Sequence, residues 1–450
     1  MRQIKTVMTI FLAVTAFAAT LDAQDWTRFR GPNGSGVSPS DASLPVEWSE
    51  DKNMKWSIDL PGPGHSSPII IDDKVLLTCW TGYGVEGGSK QQKDLRLHLL
   101  CFNRENGEKV WGKAIEASLP EEKYDGMFAE HGYATHTPVS DGKHVWAYFG
   151  KSGAICVDMD GNEVWRKNLG SDLHSKRWGS ATSPILHGDL VIYTASIESA
   201  TIFGLNKLTG EEVWKQPADS LAESWSTPVL VPVDEERTDL VLAVPGELWG
   251  LNPDTGKFLW WSETPSGSAC SSVVQNEGIA YYVDSGRQGG GAMAIKVGGE
   301  VPTKDKDVSS NTIWKTGERS RIGTPIYFED QLYWISGGIV TAVKADSGDR
   351  IYSNRLEKPK TAPARGGQGG RRGGRGMEYS SPVAANGKIY YVTRDGVAYV
   401  LQMGKEFKQI AANAFTDGGD FSASPAISDG QLFIRSTKKL YCIQSDSAAE

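Results

Sequence analysis

Short apolar runs separated by tight polar turns fill most of the chain. One recurring phrase joins a small residue and a proline to an apolar run, as in "SSPIIIDDKVLLT" from Ser66 and "TSPILHGDLVIYT" from Thr182. Alternating or continuous apolar runs of this length are typical of β-strands, and the DDK and HGD sequences are typical hairpin turns. A proline is tolerated where a strand begins, because its missing N–H is not needed there. Helical periodicity is nearly absent, so the pattern predicts an all-β protein.

This phrase occurs eight times along the chain. Seven copies contain proline, at positions 68, 138, 184, 228, 325, 382 and 425, and one copy, "CSSVVQNEGIAYYV" from Cys270, has valine instead. The spacing of about 40–55 residues is close to that of propeller blades. A single four-stranded sheet cannot bury both of its faces, so the copies must pack around a common axis. We therefore predict an all-β, single-domain, eight-bladed β-propeller with four-stranded antiparallel blades.

A second phrase, a polar turn with glycine followed by tryptophan, marks the fourth strand of the blades. It reads "NRENGEKVW" at 103–111 and "NKLTGEEVW" at 206–214. We expect each indole to cover the neighbouring blade, where removing such a side chain typically costs about 3–5 kcal/mol. Tyr352, in "SGDRIY", is assigned this role in the seventh unit. The predicted blade-docking tryptophans are Trp56, Trp111, Trp165, Trp214, Trp260 and Trp314.

The last copy lacks its fourth strand, and the N-terminal region contains an isolated one. After "KKLYCIQ" at 438–444 the sequence continues only as "SDSAAE", whereas "NMKWSIDL" at 53–60 has no preceding strands. We expect Lys55–Leu60 to complete the C-terminal blade and close the ring. Closure removes exposed sheet edges that would otherwise promote aggregation.

The first 23 residues have the layout of a secretory signal peptide. A basic start precedes the apolar run Ile10–Ala19 and small residues before Gln24. A retained N-terminal anchor is the alternative, which the shortness of the apolar run disfavours. The sequence thus predicts a periplasmic or secreted protein of bacterial type. Its expected divisions are a signal peptide (1–23), an N-terminal leader segment (24–47), the propeller (48–446) with a disordered Gly/Arg-rich loop (359–376), and a tail (447–450).

The net charge of the chain limits the kinds of partner that it is expected to bind. The net charge is -8, and loss of Arg2, Lys5 and Asp22 with the leader makes it about -9. An acidic protein is a poor candidate for nucleic-acid binding. No later stretch predicts a transmembrane segment, and we expect a monomer.

The five cysteines are separated along the chain and form no CxxC pair. Cys79 and Cys101 fall on consecutive predicted strands and are candidates for a disulfide. The favoured interpretation is that the cysteines are small buried apolar side chains.

The two repeated phrases resemble those of the pyrroloquinoline-quinone-repeat (quinoprotein-like) β-propellers. The shared patterns "L-N-x-x-T-G-x-x-x-W" and small-residue–Pro extend from about residue 48 to 446, and the opening "DWTRFRGPNGSGVS" resembles exported bacterial members. The family is related in fold to quinone-dependent alcohol dehydrogenases and to the outer-membrane assembly lipoprotein, a scaffold that binds a partner protein. The resemblance implies the fold but leaves the activity open.

Neither functional branch carries over completely. The dehydrogenases bind the quinone with calcium near the axis and usually carry a vicinal Cys–Cys pair, which this chain lacks, and no counterpart of their Asp base and Asn/Glu calcium set is obvious. The lipidated cysteine of the assembly lipoprotein is also missing. We therefore expect a non-catalytic binding or scaffold module, with no catalytic residue, cofactor or metal assigned. Its partner is an unknown protein, polysaccharide or small molecule. The alternative is a pyrroloquinoline-quinone-dependent oxidoreductase of the alcohol or sugar dehydrogenase type, with calcium.

The segments before each first strand supply most of the candidate ligand-binding residues, and Arg287, beside the glycine run of "DSGRQGGG" at 284–291, is a further rim candidate whose alternative is a loose hairpin. Arginine pairs with carboxylates and tryptophan stacks on rings, so this rim suits a planar anionic ligand. The alternative is that these polar residues merely satisfy strand ends and hold ordered water. A metal site at His65, Glu130, His131 and His136 is disfavoured because the spacing fits no regular zinc pattern. The candidates are His65, His131, Tyr133, His136, Arg177, Trp178, Glu223, Trp225, Arg287, Arg321, Tyr379 and Asp420.

Overall fold

In the part of the chain that the structure describes, thirty-two β-strands pair into eight four-stranded antiparallel sheets. The computed structural model describes residues 25–265, 267, 269–286, 289–299, 305–359 and 377–446. Arg287 and residues 360–376 of the predicted Gly/Arg-rich loop lie outside these ranges, as do the predicted signal peptide and the tail from residue 447. In the described ranges the helical segments are short 3-10 turns at Pro32–Gly34, Gln92–Asp94, Phe128–Glu130, Gly150–Ser152, Asp219–Glu223 and Ser309–Asn311.

The strands follow one another in blade order. In the N-terminal half they are β1 (Met54–Asp59), β2 (Ile69–Ile71), β3 (Lys74–Thr81), β4 (Arg96–Asn103), β5 (Lys109–Glu116), β6 (Val139–Ser140), β7 (His144–Tyr148), β8 (Ala154–Asp158), β9 (Glu163–Lys167), β10 (Ile185–His187), β11 (Leu190–Ala195), β12 (Thr201–Asn206), β13 (Glu212–Pro217), β14 (Val229–Pro232), β15 (Thr238–Val244), β16 (Glu247–Leu251) and β17 (Phe258–Glu263). In the C-terminal half they are β18 (Val274–Asn276), β19 (Ile279–Gly286), β20 (Gly289–Lys296), β21 (Thr312–Thr316), β22 (Ile326–Phe328), β23 (Gln331–Ser336), β24 (Ile339–Lys344), β25 (Arg350–Arg355), β26 (Val383–Ala385), β27 (Lys388–Val392), β28 (Val397–Gln402), β29 (Lys408–Ala414), β30 (Ala426–Ser428), β31 (Gln431–Arg435) and β32 (Lys439–Gln444).

The predicted eight-bladed propeller and its closure are confirmed. Blades 1 to 7 are the successive groups of four strands from β2 to β29, and blade 8 has the order β1-β32-β31-β30. In blade 8, Trp56 of β1 lies opposite Cys442 of β32 and Ser57 lies opposite Tyr441. The N-terminal strand therefore supplies the outermost strand of the C-terminal blade.

Strand direction divides the connections between the two ends of the propeller. Because the strands within a blade alternate in direction, the loop between strands 2 and 3 lies at the same end as the loop that leads to the next blade. The turns between strands 1 and 2 and between strands 3 and 4 lie at the opposite end. We call these the loop end and the turn end.

Five of the fourth-strand indoles bond to the next blade. Their Nε1–H groups donate to backbone carbonyls of the following blade at 2.8–3.0 Å. The glycine of that turn is required: Gly256 has φ +67°, and a Cβ there would lie 2.3 Å from the Trp214 ring. The bonding indoles and their acceptors are Trp56 to Arg104, Trp111 to Met159, Trp165 to Lys207, Trp214 to Pro253 and Trp314 to Ala345.

The remaining two aromatic positions differ from this pattern. Trp260 donates to the Asp239 carboxylate of its own blade at 2.7 Å, although its ring packs in a cluster that contains residues of blades 4 and 5. Tyr352 lies on β25 and belongs to blade 6, so its assignment to the seventh unit was wrong. The Tyr352 ring packs 5.9 Å from Phe407, which precedes the fourth strand of blade 7.

The cysteines are free thiols. Cys79 lies opposite His98 in the ladder and Cys101 lies opposite Leu76, so the candidate disulfide does not form. Four of the five thiols are buried, and Cys270 is partly buried. No helix in the described part of the chain is long and apolar enough to cross a membrane.

An N-terminal plug, residues 25–38, crosses the axis at the turn end. Trp26 exchanges both backbone bonds with Ile70 of blade 1, at 2.9 and 3.0 Å. The Asn33 side chain donates to Leu230 O of blade 4 at 2.7 Å, and Ser38 N donates to Ala384 O of blade 7 at 2.8 Å. Because these first strands lie on different sides of the ring, the plug closes this end of the channel.

Candidate functional site

A ring of hydroxyl side chains surrounds the axis where the first strands begin. The residue before each recurring proline, or before Val273 in blade 5, is Ser or Thr. Seven consecutive bonds, each from a ring residue's backbone N–H to the hydroxyl oxygen of the next, measure 2.8–3.1 Å. This hydroxyl ring consists of Ser67, Thr137, Ser183, Thr227, Ser272, Thr324, Ser381 and Ser424.

The hydroxyl ring forms the floor of an axial cavity of about 960 Å³. Phe29 of the plug also lines it, and the walls come from the loops that precede the first strands. The Trp178 and Trp225 rings lie side by side on the wall before blades 3 and 4, with centroids 5.4 Å apart and planes inclined by 41°. Arg321 lines the cavity before blade 6. The cavity thus combines an aromatic wall, a cation and a polar floor.

Seven of the twelve predicted rim residues line this cavity, and four do not. The seven are His65, His131, Trp178, Glu223, Trp225, Arg321 and Tyr379. The four outside it are Tyr133, His136, Arg177 and Asp420. The twelfth, Arg287, lies outside the described residues.

Tyr133 and His136 border a separate cavity of about 50 Å³ between blades 2 and 3. His136 Nε2 lies 3.1 Å from Ser180 Oγ, and Ser180 in turn donates to the Glu198 carboxylate. Burial lowers the pKa of His136 to about 3 and raises the pKa of Glu198. Both side chains therefore lie in the space between blades and not in the axial cavity.

Arg177 and Asp420 connect loops at the mouth of the axial cavity. Arg177 is partly exposed and pairs with Glu122 at 3.0 Å and with Asp125 at 2.7 Å. Asp420 pairs with Arg394, which also pairs with Glu130. These ion pairs connect loops of different blades at the loop end of the propeller.

Arg394 was missed by the sequence interpretation. It lies between strands 2 and 3 of blade 7, with its guanidinium carbon 5.5 Å from the centre of the Tyr379 ring. Apart from Arg287, only residues in the segments before first strands were considered as rim, whereas loops between strands 2 and 3 reach the same end. Their position in the repeat is the signal that could have identified it.

The titratable groups on the cavity wall are uncharged at neutral pH, apart from the ion-paired and arginine side chains. Burial lowers the pKa of His65 and of His131 to about 4. Burial, with a smaller contribution from Asp284, raises the pKa of the Cys270 thiol to about 12. Lys176 and Glu223 form an ion pair at the mouth. Arg321 is therefore a cation on the cavity wall that forms no ion pair with another described residue.

The described residues do not fit a calcium–quinone pair. They contain no group of three or more His, Cys, Asp and Glu side chains that could hold a metal ion. His65 and His131 line the cavity, but His136 points to Ser180 in the other cavity. The floor of the axial cavity is built from hydroxyl groups, not from the carboxylate oxygens that calcium prefers.

Comparisons with known proteins agree with this architecture. The family model described as "Outer membrane protein assembly factor BamB" (PQQ_2) matches residues 96–318 and 198–447. No curated protein sequence matches the chain significantly.

Solved structures share the fold at low sequence identity. BamB from Moraxella catarrhalis superposes with a TM-score of 0.58 at 15% identity, covering 88% of this chain and 98% of that one. The quinohemoprotein alcohol dehydrogenase from Comamonas testosteroni gives 0.56 at 10% identity, covering 95% and 82%. ADHIIG from Pseudomonas putida HK5, of the same description, gives 0.54 at 10% identity, covering 95% and 81%. Since the family model spans more than half of the sequence, the chain belongs to the PQQ-repeat β-propeller family described as outer membrane protein assembly factor BamB.

Proposed function

We propose that this protein is a non-catalytic binding module whose ligand, a ring-bearing small molecule or the end of a polysaccharide, occupies the axial cavity. The observation that carries the proposal is the Trp178–Trp225 pair, which faces a cavity that Arg321 also lines. Adjacent indole faces stack on planar rings, and a guanidinium orients a polar group of the same ligand.

The aromatic wall is fixed in place before any ligand arrives. Trp225 Nε1 donates to Gly179 O at 2.8 Å, and the Lys176 ammonium lies 5.2 Å from the centre of the Trp178 ring. The His174 ring contacts both indoles, at 5.9 and 6.0 Å between centroids. A wall held in its binding conformation lowers the entropy cost of association.

The size of the cavity favours a small molecule over a folded partner. A volume of about 960 Å³ is at the upper end of the usual 300–1,000 Å³ range of small-molecule sites. The plug closes the turn end, so ligand access is from the loop end. A protein partner would contact the rim loops instead, where Leu119, Met127 and Leu173 are exposed.

The cellular setting of the proposal is the periplasm or the extracellular medium. The signal-peptide pattern of residues 1–23 supports export. We infer that the exported protein acts as a monomer, since propeller closure leaves no unpaired strand at the join between β1 and β32.

A fluorescence titration with a dye-reduction assay tests this function. Pyrroloquinoline quinone and a planar dicarboxylate, each with and without calcium, are titrated while tryptophan emission is recorded. We expect saturable quenching that weakens about 5- to 150-fold in Trp225→Ala and in Arg321→Ala, because each removes one wall contact of about 1–3 kcal/mol. Trp261→Ala, on the outermost strand of blade 4, is the control and should bind normally. No redox dye should be reduced.

Two outcomes would contradict the proposal. Dye reduction that requires quinone would establish the alternative, a quinone-dependent oxidoreductase. Quenching of equal strength in wild type and Trp225→Ala would place the ligand away from the axial cavity.

A further inference from the structure

Two buried arginines of the plug lie directly beneath the hydroxyl ring. Arg28 Nη2 donates to Pro228 O at 3.0 Å, and Arg30 Nη2 donates to Pro325 O at 2.7 Å and to Pro382 O at 3.3 Å. Each of these prolines directly follows a ring residue. Since consecutive Cα atoms are about 3.8 Å apart, both guanidinium groups lie one residue below the cavity floor.

A third buried arginine approaches the floor from blade 8. Arg435 Nη1 donates to Ser66 O at 3.2 Å, to Ser66 Oγ at 3.1 Å and to Thr78 O at 2.8 Å. Ser66 precedes the ring residue Ser67. Three guanidinium groups therefore surround the floor on different sides of the axis.

None of these three arginines forms an ion pair within the described part of the chain. Their hydrogen-bond acceptors are carbonyl and hydroxyl oxygens, and Arg28 Nε, Arg30 Nε, Arg30 Nη1 and Arg435 Nη2 are buried without a hydrogen-bond partner. Burial lowers their pKa values to about 10, 9 and 10, so all three remain charged at neutral pH. A buried charge without a counterion is costly unless something compensates it.

The hydroxyl ring adds donors above these charges. Seven of its oxygens accept a backbone N–H, so each hydroxyl proton is available to another acceptor. Among the described residues no acceptor takes these protons, and all eight ring residues line the cavity. Hydroxyl donors with guanidinium groups close behind them are the kind of groups that bind an oxyanion.

The carboxylates near the cavity already have cationic neighbours. Glu223 pairs with Lys176, and Glu130 and Asp420 share Arg394. Asp284 lies on β19 of blade 5 and interacts with the Cys270 thiol of the cavity wall before that blade. They therefore do not neutralise the charges of the plug.

We propose that the floor of the axial cavity is a seat for an oxyanion of the ligand, a carboxylate or a phosphate, with the hydroxyl ring as donors and the plug residues Arg28 and Arg30 as the charge beneath them. The inference rests on the proposed function, because it states which charged group the ligand of the axial cavity carries. It gives the N-terminal segment a part in ligand recognition as well as in closing the channel.

Calorimetric titrations of the full chain test the seat. The probes are pyridine-2,6-dicarboxylate, its uncharged diamide and inorganic phosphate, which separate charge from ring shape and a carboxylate from a phosphate. In wild type we expect the dicarboxylate to bind at least about tenfold more tightly than the diamide. Arg30→Met should remove that difference, and it should still fold, because it replaces an unpaired buried charge with an apolar side chain.

Arg104→Met is the matched control. Arg104 is also buried and bonded to neutral oxygens, Gln431 Oε1 at 2.6 Å and Ser428 O at 2.9 Å, but it lies at the turn end between blades 1 and 8. The Arg104→Met variant should bind the dicarboxylate with the same affinity as wild type. Arg30→Lys, which keeps the charge, should retain most of the preference for the dicarboxylate.

The outcomes separate the seat from the proposed function. Equal binding of dicarboxylate and diamide by wild type would overturn the seat and leave a cavity for neutral rings intact. If neither ring compound binds, the ring-binding function fails, and phosphate alone decides the seat. Thermal stabilisation by phosphate in wild type but not in Arg30→Met would support the seat, and stabilisation of neither would overturn it. The comparison of dicarboxylate with diamide uses the wild-type protein alone. It can therefore disprove the seat even if Arg30→Met misfolds.

Discussion

A chain that begins at Pro61 is expected to lose cooperative unfolding and to aggregate. This truncation removes the plug and β1, so β32 becomes an exposed edge strand that can pair with another molecule. It also removes Trp26, Trp48 and Trp56 from the cluster that packs between blades 1, 7 and 8. Differential scanning calorimetry and light scattering of the refolded protein measure the two effects.

The control is a chain that begins at Asp25, which keeps every strand of the propeller. It should unfold in one cooperative transition at the same temperature as the full chain. A soluble, cooperatively unfolding chain from Pro61 would contradict the role of β1 in closing the ring.

Trp214→Ala is expected to lower the free energy of unfolding by about 3–5 kcal/mol, the usual cost of removing a buried tryptophan. The Trp214 side chain is only 7% exposed. It donates to Pro253 O at 3.0 Å and covers Gly256 of the next blade. The substitution therefore leaves a cavity at the junction of blades 3 and 4. Urea unfolding followed by circular dichroism measures the change.

Val213→Ala provides the comparison on the same strand. Val213 precedes Trp214, is 55% exposed and points to the other face of the sheet. Its loss should change the free energy of unfolding by no more than about 0.5 kcal/mol. A similar change for the two variants would mean that the indole does not hold the blades together.

The architecture could be predicted from the sequence because each repeat carries its own signals. Proline, alternating apolar residues and an Asx–Gly turn are local features, and they placed every blade. The exception is Tyr352, which was assigned to the seventh unit although its strand, β25, belongs with the sixth copy of the repeat, whose proline is at position 325.

The hydroxyl ring was visible in the sequence but its meaning was not. A Ser or Thr precedes the proline in every copy, and even the copy without proline keeps Ser272. The partner of each hydroxyl lies on the adjacent blade, some 43 to 70 residues away. Such a bond can be inferred only when the closed ring is known, because the first strands of adjacent blades meet around the axis.

The plug could not have been predicted for a similar reason. Residues 25–38 have no alternating pattern, and the carbonyl partners of Arg28 and Arg30 in the blades lie 200 to 352 residues away. Part of the rim was missed because, apart from the segment that contains Arg287, loops between strands 2 and 3 were not considered. Arg394 and Glu198 both come from such loops. Strand alternation brings these loops to the loop end together with the segments that precede the first strands.

The central claim is that the ligand binds in the axial cavity against Trp178 and Trp225. Fluorine NMR of protein labelled with 5-fluorotryptophan, titrated with the planar dicarboxylate, tests it most directly, since single Trp→Phe variants assign each resonance. We predict that the signals of Trp178 and Trp225 shift saturably, while those of Trp111, Trp165 and Trp214 at the blade junctions do not. Shifts confined to the junction tryptophans, with Trp178 and Trp225 unchanged, would contradict the account.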